Sequence, residues 1–134
     1  MSIETNKQIV IDFFEAGNRG DVSRCMDLLA DDVHWSNHGT TRFSGPFIGK
    51  QALGEELMGP LFASLKNGLY TGIDRLIGEG DTVVMQGSGQ AETHDGRPYN
   101  NKYCMVVEIQ DGKIARVVEY ADTALVNEVF GPAA

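Results

Sequence analysis

The sequence predicts an α+β domain in which three to four helices pack on one face of a curved, mainly antiparallel (mixed) β-sheet and give it the shape of a cone. The first observation is the order of the patterns, which runs helix, helix, strand, long loop, helix and then four strands. The second is the pair of dipeptides Asp95-Gly96 and Asp111-Gly112 between alternating apolar runs, a pattern typical of hairpins. The third is a length of 134 residues with 42% hydrophobic content, which predicts one domain over residues 1–134.

The first third of the chain is predicted to be helical. Ser2 can cap a helix that reaches Gly17, and Asp21 can cap a second helix. The apolar residues of the second helix share one helical face, which indicates core packing: Val22, Cys25, Met26 and Leu29.

The remaining elements follow in order. Residues 31–37 are predicted to form a short strand that enters a polar loop over residues 38–49, and a loop of that length often borders a cavity. Leucines recur every four positions over residues 50–65, but Gly59-Pro60 interrupts them, so we expect a kink or two short helices. A strand over residues 69–77, three strands between Thr82 and Asp122, and a short helix capped by Asp122 complete the chain.

The register of the last hairpin predicts which residues share a sheet face. A two-residue turn at Asp111-Gly112 would place Cys104 opposite Glu119. One face would hold Lys102, Cys104, Val106, Val117 and Glu119, with Met85 beside them. The other would hold Tyr103, Met105, Val107, Ile109, Ile114, Val118 and Tyr120. We expect the Glu119 face to line the cone, and the second, convex face to be covered by another copy of the chain in a homodimer.

A single β-bulge would change this assignment. One extra residue beyond either turn exchanges the two faces, and Gly87 and Gly89 are plausible sites for it. Tyr103 and Asn101 would then border the pocket together with Asp122. Without a bulge, Tyr103 belongs to the dimer interface and Asp122 is a helix cap.

Composition excludes several function classes. The formal net charge of -8 and the lack of a Lys/Arg cluster argue against a nucleic-acid partner. No apolar stretch approaches 18 residues, so no membrane partner is expected. Cys25 and Cys104 have apolar neighbours and no metal-ligand spacing, which favours reduced thiols in a cytoplasmic protein. His34 and His38 lack a third ligand of suitable spacing, so no metal site is predicted.

Glu119 is the main candidate for catalysis. A carboxylate that faces an apolar cavity loses hydration, so its pKa rises and it can act as a general base or acid near neutral pH. The alternative is that Glu119 pairs with Lys102 or points to solvent at the cone rim.

Four neighbours complete the predicted site. Asn37 can orient a water or a carbonyl, although it can also be a simple turn residue before Gly39. Trp35 can supply a flat apolar wall for a ligand, although a lone Trp can be plain core. His38 can serve as an acid–base group at the rim, and Cys104 would line the cavity beside Glu119.

Together these features resemble one known family. The relevant parts are the opening helix pair, residues 30–35, the loop 43–50 that leads into a helix, and residues 111–123. They resemble the SnoaL-like, ketosteroid-isomerase-related branch of the nuclear transport factor two-like superfamily, which has a cystatin-like cone fold. The resemblance implies a dimer that binds a small, mostly apolar molecule and needs no metal or organic cofactor.

The family's catalytic residues are matched only in part. Trp35 and Asn37 stand where limonene epoxide hydrolases have an aromatic residue and an asparagine, and Glu119 resembles their catalytic aspartate, which also precedes an aromatic residue. Their Arg–Asp pair on a middle strand has no counterpart, since that strand offers only Gln86, Ser88 and Gln90. The same hydrolase mechanism is therefore not expected.

A ketosteroid isomerase mechanism is not matched either, because Cys104 stands near the position of the protonated aspartate and a thiol is a poor donor. Three hypotheses follow. The protein is an isomerase, cyclase or hydrolase that acts by proton transfer on a small hydrophobic molecule, or a binding module that sequesters such a molecule, or an interaction protein whose cone is filled by its own side chains.

Overall fold

In a computed structural model that describes residues 2–133, an open six-stranded mixed sheet carries helices on its concave face. The strands are β1 Leu29–Asn37, β2 Gly45–Ile48, β3 Tyr70–Glu79, β4 Thr82–Gln90, β5 Lys102–Gln110 and β6 Lys113–Ala121. Their order across the sheet is β2-β1-β6-β5-β4-β3, in which β1 and β6 are parallel and the other neighbours antiparallel. The helices are α1 Ile3–Asn18, α2 Val22–Leu28, α3 Lys50–Ala52, α4 Gly59–Ala63 and α5 Thr123–Phe130, with a π-helical turn, Leu53–Met58, between α3 and α4. The predicted α+β cone is confirmed.

The predicted helix caps are confirmed by hydrogen bonds. Ser2 Oγ accepts from the Thr5 N–H at 3.1 Å, Asp21 Oδ1 accepts from the Arg24 N–H, and Asp122 Oδ1 accepts from the Leu125 N–H. Each bond satisfies an N–H that has no partner within its helix.

The predicted apolar stripe of the second helix is wrong at Val22, whereas Leu29 is buried in the core as predicted but lies in a strand. Val22 is 62% exposed, and Leu29 begins β1 instead of extending the helix. The reason is tertiary, because Leu29 pairs with Ile114 of β6 and its side chain is buried in the core by that contact.

Two segments, the predicted loop over residues 38–49 and the predicted helical region over residues 50–65, are more complex than a simple loop and a simple helix. The predicted polar loop contains β2, in which Phe47 points into the core while Ile48 is 56% exposed, and Pro46 is tolerated because β2 is an edge strand. The predicted kink is present as the π-helical turn, in which the Gly59 N–H bonds to the Gly54 carbonyl five residues earlier. Pro60 has no N–H to donate to this ladder.

A β-bulge at Ala115 determines which face Glu119 shares with β5. The Asp111-Gly112 turn forms as predicted, with φ values of 51° and 75°. Beyond it, Ile109 pairs with Ile114 but Glu108 pairs with Arg116, so Ala115 is the extra residue. Met105 therefore lies opposite Glu119, and the predicted pairing of Glu119 with Cys104 is wrong. The bulge alternative is confirmed, although the bulge is not at Gly87 or Gly89.

The Asp95-Gly96 pair does not form a two-residue hairpin. β4 ends at Gln90 and β5 begins at Lys102, and residues 91–101 form a longer connection closed by a bridge between Glu92 and Pro98. As a result Met85 pairs with Met105 and shares the concave face with Glu119. Gly89 gives room to an aromatic ring, since a Cβ there would lie 2.8 Å from Cε2 of Tyr103.

The face that the sequence assigned to a dimer interface is in fact the buried one. Tyr103, Met105, Val107 and Ile109 are each less than a tenth exposed and belong to the core under the helices. The opposite, convex face carries Cys104, Val106 and Val118, which are half-buried. Among residues 2–133, no helix combines the length and the apolar character needed to cross a membrane.

The C-terminal end of α1 is attached to β3 by one asparagine. Asn18 Nδ2 donates to the Thr71 carbonyl at 2.8 Å, and Asn18 Oδ1 accepts from the Thr71 N–H at 2.7 Å. Because Thr71 is 6% exposed, its backbone groups have little access to water as substitute partners.

Asn18→Ala is therefore expected to lower the free energy of unfolding by about 1–3 kcal/mol, the usual cost of leaving buried backbone groups unpaired. Urea denaturation measures the change. Asn127→Ala, at an exposed position on α5, is the matched control and is expected to change the free energy little. Equal effects of the two substitutions would contradict the attachment.

Candidate active site

A largely apolar cavity lies between the concave face of the sheet and the segments α1, the π-helical turn, α4 and α5. About 120 Å³ of it is open to the centre of a water molecule, which is room for several waters or one small organic molecule. Its aromatic wall includes Phe13, Phe14, Trp35, Tyr99 and Tyr103. A concave apolar pocket with few polar groups is the usual form of a small-molecule site.

Glu119 is positioned in this cavity by both strands beside it. β1 places Asn37 next to Glu119 on one side, and β5 places Met105 on the other. The backbone is fixed where β1 ends, because the His38 N–H donates to the Glu119 carbonyl at 2.9 Å. Glu119 keeps partial exposure, as expected of a side chain that borders an open cavity.

The surroundings of the Glu119 carboxyl favour its neutral form. Burial raises its pKa from 4.5 to about 7, and the nearby Trp35 indole N–H opposes this shift only in part. None of the ion pairs among the described residues involves Glu119. The predicted alternative of pairing with Lys102 is wrong, since Lys102 Nζ donates to Ser88 Oγ at 2.8 Å, and Ser88 in turn bonds to Asp74.

Trp35 and Asn37 form a fixed polar edge beside Glu119. The Trp35 indole N–H donates to Asn37 Oδ1 at 3.1 Å, and Asn37 Nδ2 donates to the Phe43 carbonyl at 2.9 Å. These two bonds set the orientation of the Asn37 amide. One N–H of the amide remains for a ligand, because an NH2 group carries two donors.

Five of the predicted site residues border the cavity: Glu119, Asn37, Trp35, His38 and Tyr103. His38 is exposed and its ring lies 5.1 Å from that of Tyr120. Tyr103 is buried on β5 and faces the cavity because of the bulge at Ala115.

Three predicted residues do not border the cavity. Cys104 lies on the opposite face of the sheet, where its neighbours are Gln86 and Tyr120. Met85 is on the concave face but has no exposed surface. Asn101 is 1% exposed, and its amide bonds to Tyr99 and to the backbone of Lys102 and Asp122. Asp122 is a helix cap.

Several cavity residues were not predicted. The Phe13-Phe14 doublet gave a signal, since both rings lie at the end of an amphipathic helix, but it indicated only core packing. Tyr99 carried no such signal, because the sequence of residues 91–101 resembles a tight hairpin.

Burial raises the pKa of Tyr99 and, more strongly, that of Tyr103, and the nearby Glu119 charge adds to both shifts. Both hydroxyls therefore keep their protons.

The chemistry available is that of one carboxyl group in an apolar cavity, with a histidine at the rim and hydrogen-bonding neighbours. Strand β4 contributes no charged side chain to it, since its concave positions are Val83, Met85, Gly87 and Gly89. Among residues 2–133, no group of three or more His, Cys, Asp or Glu side chains could hold a metal ion.

Comparison with known proteins relates the chain to a domain family. The sequence profile described as the SnoaL-like domain matches residues 10–117. No curated protein matches the chain in sequence.

Solved structures share the fold. An NTF2-like protein of unknown function from Burkholderia pseudomallei K96243 has a TM-score of 0.83 at 22% identity, over 96% of this chain and 98% of that one. A protein with a ketosteroid isomerase-like fold from Catenulispora acidiphila, in complex with trimethylamine, has a TM-score of 0.76 at 16% identity, over 92% of each chain. An LEH-like epoxide hydrolase from M. tuberculosis has a TM-score of 0.76 at 19% identity, over 94% of this chain and 89% of that one. At these identities the similarity concerns the fold.

Proposed function

Since the chain belongs to the SnoaL-like domain family, we propose that it acts on a small, mostly apolar molecule by proton transfer, with Glu119 as the acid–base group. The observation that carries the proposal is an unpaired carboxyl in an apolar cavity, with a pKa raised to about 7 by burial. A group with a pKa near the working pH both exists in the basic form and accepts protons effectively.

Geometry supports the choice of Glu119 more than family membership does. The family match ends at residue 117, two positions before Glu119. Trp35 and Asn37, which hold the polar edge beside the carboxyl, lie inside the matched range. In the proposed site Trp35 is the apolar wall, Asn37 orients the substrate with its remaining N–H, and His38 lies at the rim.

The proposal is tested with a probe that reports proton removal alone. 5-Nitrobenzisoxazole loses its C–H proton to a base, its N–O bond breaks, and a coloured cyanophenolate is released. The protein is expected to accelerate this reaction, with a rate that rises with pH and levels off above about pH 7 as Glu119 loses its proton. Absorbance measured between pH 5 and 9 checks the profile, and a rate equal to that of buffer at every pH would contradict it.

A second function, sequestration of a ligand without turnover, is supported by one observation. Glu119 is the one carboxyl among the described residues that line the cavity, so the pair of carboxyl groups that many hydrolases use as base and acid is not present there. A module of this kind would bind the probe without accelerating its opening. The third hypothesis, a cone filled by its own side chains, loses its support because the cavity is present.

We also propose a homodimer through the convex face. The half-buried Val106, Val118 and Cys104 form its centre, and Tyr120 is 44% exposed beside them. Light scattering is expected to give twice the mass of one chain, and Val106→Lys is expected to give the single-chain mass, since a buried lysine charge is costly at an interface. A single-chain mass for the unmodified protein would contradict the dimer.

The proposed compartment is the cytoplasm. Cys25 and Cys104 are both free thiols, and Cys25 is buried. Reduced thiols without a disulfide are typical of cytosolic proteins.

A further inference from the structure

The polar residues behind Tyr99 fix the direction of its hydrogen bond. Asn101 Oδ1 accepts from two backbone N–H groups, that of Lys102 at 2.7 Å and that of Asp122 at 3.0 Å. An oxygen must therefore be the atom that faces them, and the NH2 group must be on the other side. That NH2 donates to the Tyr99 hydroxyl oxygen at 3.1 Å and to the Asp122 carbonyl at 3.2 Å.

All the hydrogen-bonding capacity of the Asn101 amide is thereby used, and the amide is 1% exposed. It has no freedom to rotate without leaving buried groups unpaired. The Tyr99 ring is held as well, by an edge-on contact with Phe130 at a centroid distance of 4.8 Å.

The Tyr99 hydroxyl consequently has its own hydrogen free for another acceptor. Its oxygen already accepts from Asn101. The Tyr103 hydroxyl is the second partner and acts as the donor, because this hydrogen bond lowers the pKa of Tyr99 and raises that of Tyr103. A tyrosine hydroxyl carries one donor, so the hydrogen of Tyr99 is not used by either partner. The ring is part of the cavity wall, next to Tyr103 and on the same cavity as Glu119. Burial raises the pKa of Tyr99, so this hydrogen stays in place at neutral pH.

The lining of the cavity also disfavours ligands that carry a negative charge. Neither lysine nor arginine is among its described lining residues, and Glu119 would repel an anion once ionised. The acceptor that fits this lining is therefore uncharged, and a carbonyl or ether oxygen is such an acceptor.

We propose that Tyr99 donates a hydrogen bond to a neutral carbonyl or ether oxygen of the cavity's ligand, and that Asn101 is the positioning residue that holds the Tyr99 hydroxyl in this donor orientation. The ligand class is thus an apolar molecule with one such oxygen. This inference rests on the proposed function of the cavity as a small-molecule site.

The test compares two probes of the same shape, acetophenone and α-methylstyrene, in which C=O is replaced by C=CH2. Binding is measured at pH 8, above the Glu119 pKa of about 7, so that the Glu119 carboxyl is not itself a donor. The protein is expected to bind acetophenone about 3- to 10-fold more tightly, the value of one neutral hydrogen bond. The infrared carbonyl stretch of bound acetophenone is expected to shift to lower frequency.

Tyr99→Phe is expected to abolish both the preference and the shift while leaving the affinity for α-methylstyrene unchanged. Asn101→Asp is expected to do the same, because its carboxylate would accept from the Tyr99 hydroxyl and take the hydrogen away from the ligand. Tyr70→Phe, on β3 and 54% exposed, is the control and is expected to keep both signals.

Equal affinity of the unmodified protein for the two probes, with no infrared shift, would overturn the donor assignment but leave the cavity as a binding site. Binding of neither probe would overturn the proposed function as well. If Tyr103→Phe loses the preference and Tyr99→Phe keeps it, Tyr99 is not the donor. A preference retained in Asn101→Asp would overturn the positioning role, and if that variant does not fold, Tyr99→Phe decides the proposal.

Discussion

Glu119→Gln is expected to slow the opening of 5-nitrobenzisoxazole by at least about 100-fold, the lower end of what a positioned general base contributes. Glutamine has nearly the shape of glutamate but offers no basic oxygen of comparable strength. The loss should appear in the rate constant at saturation, while the affinity for the probe changes little, since the apolar wall is untouched. Stopped or continuous absorbance assays at pH 8 measure both quantities.

The matched control is Glu108→Gln. Glu108 lies on β5 opposite Arg116, on the face of the sheet away from the cavity. This variant is expected to keep the full rate, so that the loss in Glu119→Gln is assigned to the cavity carboxyl and not to a change in total charge. If both variants, or neither, lose the rate, Glu119 is not the base.

The same substitution is expected to make the folded protein more stable at neutral and alkaline pH. Glu119 has a pKa of about 7 when folded and about 4.5 when unfolded, so between these values the folded state holds a proton that the unfolded state has released. Stability then falls as the pH rises through this window, and the loss amounts to about 3 kcal/mol above pH 7. Below pH 4.5 the group is protonated in both states and contributes nothing.

Urea denaturation at a series of pH values measures this difference. The free energy of unfolding of Glu119→Gln should exceed that of the unmodified protein by about 3 kcal/mol at pH 8, and the gap should close towards pH 4.5. Glu108→Gln should show no such pH-dependent gap. A constant difference across the pH range would mean that the carboxyl is hydrated in the folded protein.

Both predictions depend on the direction in which the Glu119 side chain points. An ionisable group inside an alternating apolar strand is unusual, and its inward direction was expected. The neighbours expected with it were partly wrong. Trp35, Asn37 and His38 border the cavity, whereas Cys104 is on the other face and Asn101 lies behind Tyr99.

The difference arises from one residue. The hairpin turn at Asp111-Gly112 was correctly predicted, but Ala115 adds a residue to β6 and moves every partner on β5 by one position. Because side chains alternate between the faces of a strand, this shift brings Tyr103 and Met105 to the side of Glu119 and sends Cys104 to the other. Nothing in the local sequence of residues 113–117 marks the bulge.

The sequence by itself determined the features that depend on neighbours along the chain. The caps at Ser2, Asp21 and Asp122 were predictable because each side chain bonds to an N–H three residues later. The order of the elements other than β2 followed from the periodicity of their apolar residues.

The tertiary structure alone decided which residues pair across the sheet and which side chains form the wall of the cavity. The parallel pairing of β1 with β6, which joins Asn37 to Glu119, links residues 82 positions apart in the chain. Tyr99 reaches the cavity only because residues 91–101 depart from a simple hairpin. Such contacts depend on packing between distant segments, where a one-residue shift exchanges the faces of a strand and local propensities change little.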